Sequence, residues 1–144
     1  MAQAGGPRSR PPGWQQEHAK RYIETNGEDG HIWEGVPTLL LTTTGRRTGQ
    51  QHTTPLIYGQ DGDRYLVVGS RGGAPEHPQW YRNLLAQPSV GVQVKAERFR
   101  ARARPTTAAE RPALWQKMVA IYPPYAEYQT RTTREIPVVI LERE

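Results

Sequence analysis

"VPTLLLTTTGRRTGQQHTTPLIYG", Val36 to Gly59, is the stretch on which the fold turns. Val36 to Thr44 is β-branched and apolar, His52 to Gly59 resumes that character, and "GRRTGQ" between them supplies the glycines of a tight connection. The pattern predicts a β-hairpin whose loop carries Arg46 and Arg47. A turn requires glycine but no doubled guanidinium, so these two charges point to an anion held from outside the chain.

Working outward, Asp61 to Asp63 forms a second turn and Arg64 to Ser70 a third strand that ends in "RGGAP". Pro78 to Ala86 reads as a short helix with Trp80 and Leu84 on one face, and Pro88 forbids its continuation. Val90 to Val94 alternates with a period of two. So does Arg98 to Arg104, with Phe99, Ala101 and Ala103 on one face and Arg98, Arg100, Arg102 and Arg104 on the other. Thr107 and Glu110 make a capping box for a helix running through Leu114, Trp115, Met118, Val119 and Ile121. "YPPY" breaks that helix, and Ile136 to Glu142 supplies a last strand. Upstream, Trp14, His18, Tyr22 and Ile23 recur at helical spacing between Trp14 and Asn26 before "NGEDG" stops them. About five or six strands and three short helices predict a mainly β, α+β architecture: an antiparallel barrel with peripheral helices.

The chain's 144 residues suit one domain, expected over residues 14–144 behind a flexible basic tail at residues 1–13. No apolar run follows that tail, so it does not read as a signal peptide, and no stretch approaches the ~18 apolar residues of a membrane span. Lys plus Arg number 19 against 14 Asp plus Glu, a net charge of +5 that favours an anionic partner. Cysteine is absent, which excludes disulfides and thiolate metal sites and suits a reducing cytoplasm. His18, His31, His52 and His77 lack ligand spacing, so no metal site is expected, and no G-x-S-x-G supports a hydrolytic triad.

Three constellations remain, each with a plainer reading beside it. The arginine row at Arg98 to Arg104 suits an acidic polymer, or simply the wet outer row of a half-buried strand; no aromatics interleave it, which argues against nucleic acid. "GRRTGQ" and "GSRGG", Gly69 to Gly73, are loops at strand ends that together can border one anion-binding cleft, or are merely exposed turns. Tyr122, Tyr125 and Tyr128, each three apart, can wall a flat aromatic ligand or cap the core; Pro123 and Pro124 lead us to expect loop here.

"LLLTTTGRRTGQ", "TTPLIYG.DGDRYLVVGSRGGAP.HP.WY.NL", "P.V.VQV" and "YP.Y.EYQ", in that order from about His31 to Glu142, resemble the deazaflavin-dependent nitroreductase family, split β-barrel oxidoreductases that bind coenzyme F420. The resemblance implies an FMN-binding-like antiparallel split barrel, usually a homodimer, with the flat deazaflavin in a groove. It places cofactor contacts on Arg46, Arg47 and Thr48; on His52, Thr53, Thr54, Pro55, Leu56 and Ile57; on Val68, Gly69, Ser70 and Arg71; and on Gln79, Trp80, Tyr81, Arg82 and Asn83. The anion held by the hairpin loop is then the coenzyme's phosphate and oligoglutamate tail. Ser70, Tyr122, Tyr125 and Tyr128 match family positions at the substrate pocket, with Ser70 or Tyr125 the expected donor to the reduced acceptor. Nitroimidazole-activating members carry a tyrosine after "PL" where this chain has Ile57, which shifts the expected acceptor to a quinone, an enone or another activated double bond. The implied function is hydride transfer from reduced F420 to such an electron-poor acceptor, in the cytoplasm, with membrane contact at most peripheral and no nucleic acid partner. The alternatives are an FMN-dependent reductase of the same barrel class and a non-catalytic F420 carrier.

Overall fold

A computed structural model describes residues 13–144, so the expected tail lies outside the described residues but for Gly13. The strands are β1 (Ile32–Trp33), β2 (Val36–Thr44), β3 (Gln51–Ile57), β4 (Gly59–Asp61), β5 (Arg64–Val68), β6 (Ser89–Val94), β7 (Glu97–Pro105) and β8 (Val138–Arg143). They form one 8-stranded sheet in the order β1-β2-β6-β7-β8-β5-β4, with β3 paired to β2. Every pairing is antiparallel, and the sheet curls into a half-open barrel. Four helices decorate it: α1 (Trp14–Glu24), α2 (Gln79–Ala86), α3 (Arg111–Ile121) and α4 (Pro124–Thr130).

Side-chain alternation explains where the helices lie. Leu39 and Leu41 of β2 point into the main core with Val90, Val92, Ala101 and Ala103, whereas Leu40 points the other way and is covered by Ala19 and Tyr22 of α1. Tyr22, fully buried, donates its hydroxyl to the Thr38 carbonyl at 2.9 Å and accepts the Lys95 N–H at 2.8 Å, which pins α1 across β2 and the β6–β7 turn. Strands β5 and β8 are apolar on both faces: Val67, Val139 and Leu141 join the main core, while Leu66, Val68, Val138 and Ile140 meet Leu114, Met118 and the tyrosines beyond. A strand buried on both sides needs cover on both sides, and α3 and α4 provide it. β7 keeps one face wet, with Arg98, Arg100 and Arg102 exposed opposite the buried Ala101 and Ala103, as its alternation predicts.

Several elements differ from expectation. β1 and β4, of two and three residues, are too short to leave a periodic signal. The helix α1 stops at Glu24, and its inner face is His18, Ala19 and Tyr22; Ile23, expected inside, is 45% exposed because it lies one residue round from Tyr22. The segment after "YPPY" is helix α4 and not loop, since Pro124 stands at a first-turn position where its missing N–H costs nothing.

The Thr107–Glu110 capping box forms as read: the Thr107 N–H donates to Glu110 Oε1 at 2.8 Å and the Glu110 N–H to Thr107 Oγ1 at 3.2 Å. The same carboxylate receives both arms of the Arg104 guanidinium, at 2.8 and 3.0 Å, tying β7 to the head of α3. These Arg104 bonds first, then the Thr107 N–H, lower the Glu110 pKa from 4.5 to about 2. A depressed carboxyl pKa gives stability that is present above the unfolded value and lost as pH falls through the folded one. Acid titration of wild type against Glu110→Gln, followed by circular dichroism, is expected to show the variant losing less stability between pH 4.5 and about 2.

Candidate functional site

The loop between β2 and β3 is drawn tight by the Gly45 N–H donating to the Gln50 carbonyl at 2.6 Å. Arg46 leaves that loop towards α2. Its backbone N–H and one guanidinium nitrogen both donate to Asn83 Oδ1, at 3.2 and 2.8 Å, and its other nitrogen donates to Gln79 Oε1 at 2.9 Å. Asn83, only 4% exposed, also donates through Nδ2 to Thr43 Oγ1 at 3.4 Å, so one carboxamide joins α2, β2 and the hairpin loop. These acceptors are neutral amides, so they fix the Arg46 guanidinium without cancelling its charge. The Arg47 side chain has no hydrogen-bonded or ionic partner among the described residues.

A second loop leaves the end of β5. Arg71, Gly72 and Gly73 all take left-handed backbone, with φ of 47, 62 and 82°. Just before them Ser70 is 9% exposed, and its hydroxyl has no hydrogen-bond partner among the described residues. Tyr122, Tyr125 and Tyr128 are all buried; Tyr125 meets Tyr122 edge-on at 5.0 Å and Tyr128 at 6.3 Å. Burial above all, then the two neighbouring phenols, drives the Tyr125 pKa far upward, so this hydroxyl stays protonated and is a donor. It too lacks a hydrogen-bond partner among the described residues. Buried hydroxyls are normally paired, so two orphaned ones facing one cavity mark where a ligand's acceptors belong.

That cavity encloses about 650 Å³, within the range of cofactor clefts. Its wall contains Arg46, Arg47, Thr48, His52, Thr54, Pro55, Leu56, Ile57, Val68, Ser70, Arg71, Gln79, Trp80, Asn83, Tyr122, Tyr125 and Tyr128, so the sequence-predicted groups converge from four separate elements. Thr53, Gly69, Tyr81 and Arg82 are not on it. Thr53 pairs its hydroxyl with Thr42 at 2.7 Å, Gly69 donates its N–H to the Pro137 carbonyl at 2.9 Å, and the Tyr81 ring packs on His77 at 4.8 Å. Arg82 lies on α2 and is not among its buried residues.

Eight further residues on the wall are not among those the sequence assigns to the site: Trp14, Gln15, His18, Trp33, Thr38, Thr43, Gly45 and Pro78. Trp33 is the most consequential, because it stacks on Trp14 at 6.1 Å and tilts against Tyr122 at 6.3 Å, extending the phenol cluster into a continuous aromatic wall. It belongs to a two-residue strand, and an isolated aromatic in so short an element has no periodicity to expose it. Among the described residues no carboxylate lines the cavity, whereas Arg46, Arg47 and Arg71 do. Arg71 pairs at 3.7 Å with Glu76, which is not on the wall, whereas Arg46 and Arg47 have no carboxylate partner among the described residues, and this favours a bound anion.

A sequence model of the F420H(2)-dependent quinone reductase family matches residues 14–143. The chain belongs to that family. It is 45% identical over 130 residues to an F420H(2)-dependent quinone reductase of Mycobacterium tuberculosis (strain ATCC 25618 / H37Rv), covering 88% of this chain and 87% of the relative. Among solved structures, an F420-H2 dependent reductase (FDR-A) superposes with a TM-score of 0.69 at 44% identity, covering 74% of this chain and 94% of that one. A second, described as a domain-swapped dimer, gives 0.71 at 40% identity and covers 92% of this chain and all of its own, 100%. The fold is thus the antiparallel split barrel of F420-dependent reductases, as the sequence resemblance implies, and the family is one of oxidoreductases that use F420.

Asn83→Ala is expected to strand the Arg46 backbone N–H and guanidinium and to lower unfolding free energy by about 1–3 kcal/mol, the usual cost of an unsatisfied buried group. Urea denaturation measures it directly.

Proposed function

We propose that this chain binds coenzyme F420 in the cavity and transfers a hydride from its reduced form to a quinone. The observation that carries this reading is the wall itself: Arg46 and Arg47 with no carboxylate partner among the described residues, beside a protonated, unpartnered phenol in an aromatic cluster. A phosphate and a carboxylate tail call for fixed guanidiniums, and a flat ring system calls for an apolar slot with few donors. Arg46, already held by Asn83 and Gln79, is the pre-oriented contact; Arg47 is the cation left over for the anion. The other wall residues named from the sequence, Thr48, His52, Thr54 to Ile57, Val68 and Trp80, complete the slot.

When bound, reduced deazaflavin supplies a hydride from carbon. A quinone that accepts a hydride becomes a hydroquinone anion and needs one proton to finish as hydroquinone. The chain's part is to hold the acceptor against the aromatic wall, exclude water, and donate to the oxygen on which negative charge grows. Ser70 Oγ and Tyr125 Oη are the groups we assign to that oxygen. Both are buried, and neither donates to any described residue. Ile57 lies on the cavity wall and offers no donor, which is why we favour a quinone over a nitro acceptor.

We also extend to this chain the homodimer expected from its sequence, supported by the 40%-identical structure described as a domain-swapped dimer. Among the described residues no helix is long and apolar enough to cross a membrane, and a cytoplasmic location with at most peripheral membrane contact remains part of the proposal.

Calorimetric titration is expected to show F420 binding and no comparable FMN binding; the absence of heat with F420 would falsify the reading. Arg47→Ala removes one charge-assisted contact of about 1.5–3 kcal/mol, so F420 affinity should fall by about tenfold or more, with a weaker dependence on added salt. In anaerobic turnover of reduced F420 with a soluble naphthoquinone, Ser70→Ala or Tyr125→Phe should lower kcat. If the two variants both turn over at the wild-type rate, neither hydroxyl is the donor.

A further inference from the structure

Between β5 and α2 the chain runs from Gly69 to Pro78 without regular structure apart from one left-handed turn. That turn presents Ser70 and Arg71 to the cavity. Its backbone is costly. Arg71 holds φ of 47°, a conformation that costs a residue with a Cβ roughly 1–2 kcal/mol, and Gly72 and Gly73 continue on the same side. The turn's own bonds are few: the Gly73 N–H donates to the Ser70 carbonyl at 2.9 Å and the Ala74 N–H to the Arg71 carbonyl at 3.1 Å. Such a backbone persists only where its surroundings over-determine it.

The surroundings are one side chain and one close approach. Arg134, beyond the end of α4, spends four donors on this loop. Its Nε donates to the Ala74 carbonyl at 2.9 Å, one terminal nitrogen to the Gly69 carbonyl at 3.2 Å and to His77 Nδ1 at 3.0 Å, and the other to the Ser70 carbonyl at 2.7 Å. A guanidinium only donates, so His77 accepts through an unprotonated Nδ1. Burial first, then the Arg134 and Arg82 charges, lower the His77 pKa and keep it in that form. From the opposite side Gly73 lies against α4 so closely that a Cβ there would stand 2.6 Å from the Tyr128 carbonyl oxygen.

We propose that Arg134 is a positioning residue for the cavity: its guanidinium gathers the carbonyls of Gly69, Ser70 and Ala74 and so holds Ser70 and Arg71 at the cavity wall. Arg134 is not among the residues that line the cavity; it acts through the backbone of one that is, Ser70, and of Gly69 and Ala74, which flank Ser70 and Arg71 in the loop. It also joins the two sides of the candidate site, because the segment that carries it follows the helix bearing Tyr125 and Tyr128. A lysine cannot replace it fully, since an ammonium has no planar fork to reach several separate carbonyls at once.

The functional half of this inference rests on the proposed F420 chemistry, so the test has an arm that does not. In the cofactor-free protein, hydrogen exchange at the Gly73 and Ala74 amides should quicken by tenfold or more in Arg134→Gln, with amides of β2 and β6 unchanged. In the second arm, with reduced F420 and a soluble naphthoquinone, kcat/KM should fall on the order of tenfold to a hundredfold. Both KM for F420 and kcat should contribute, and Arg134→Lys should lie between wild type and Arg134→Gln. Loss of thermal stability with kinetic constants unchanged per folded molecule would leave Arg134 a purely structural residue and overturn the proposal. So would unaltered exchange at Gly73 and Ala74. If Arg134→Gln does not fold, Arg134→Lys is read in both arms against the same criteria. If the wild type does not use F420 at all, the proposed function fails, while the exchange arm still decides whether Arg134 holds the loop.

Discussion

The pairing of β2 with β3 carries the rest of the molecule. Its register runs from Thr38 opposite Ile57 to Thr44 opposite Gln51, and the inward residues Leu39 and Leu41 are fixed by the main core. A slip of one residue would turn those leucines out to α1 and solvent, so the register is held by burial as well as by the ladder. The loop at its end therefore emerges in one place, beside α2, where Asn83 can take hold of Arg46. The cavity wall along Thr54 to Ile57 follows from the same register.

Charge is segregated in a way that suits an anion site. Several acidic side chains are engaged elsewhere, Asp61 with Arg64 and Lys117, Glu110 with Arg104, Glu97 with Arg143, and of the cavity arginines Arg71 alone has an acidic partner among the described residues, Glu76. At the cavity Arg46 is held by neutral amides alone, which orient a cation without neutralising it. The exposed row on β7 follows the plainer reading in part, with Arg98 and Arg100 directed to the neutral Asn26 and Ser89 side chains. The surplus of positive charge thus has two different settings. One is spread over a wet strand face, and the other is concentrated in a concave site with few counter-charges, where the potential is stronger.

Serine and tyrosine hydroxyls gain meaning from the same segregation. On an open surface Ser70 and Tyr125 would satisfy themselves with water. Buried at the cavity wall with no described partner, they are costly to the free protein and useful to a ligand whose acceptors meet them. The aromatic neighbours that bury Tyr125 also keep it protonated, so packing and donor chemistry are one arrangement and not two.

Local patterns in the chain were enough for the hairpin, the two faces of β7, the Thr107–Glu110 cap and the helix around Trp80 and Leu84, because each depends on residues within a few positions of one another. Spacing by three marked Tyr122, Tyr125 and Tyr128, although the two prolines disguised the helix that buries them. Beyond the reach of any local pattern were the two-residue strand that brings Trp33 to Tyr122, the lone Arg47 beside an anchored Arg46, and Arg134, which grips the Ser70 carbonyl across 64 residues of chain. Periodicity and propensity are properties of neighbours along the backbone. A concave site is a property of neighbours in space, and sheet curvature and helix cover had to be in place before those residues met.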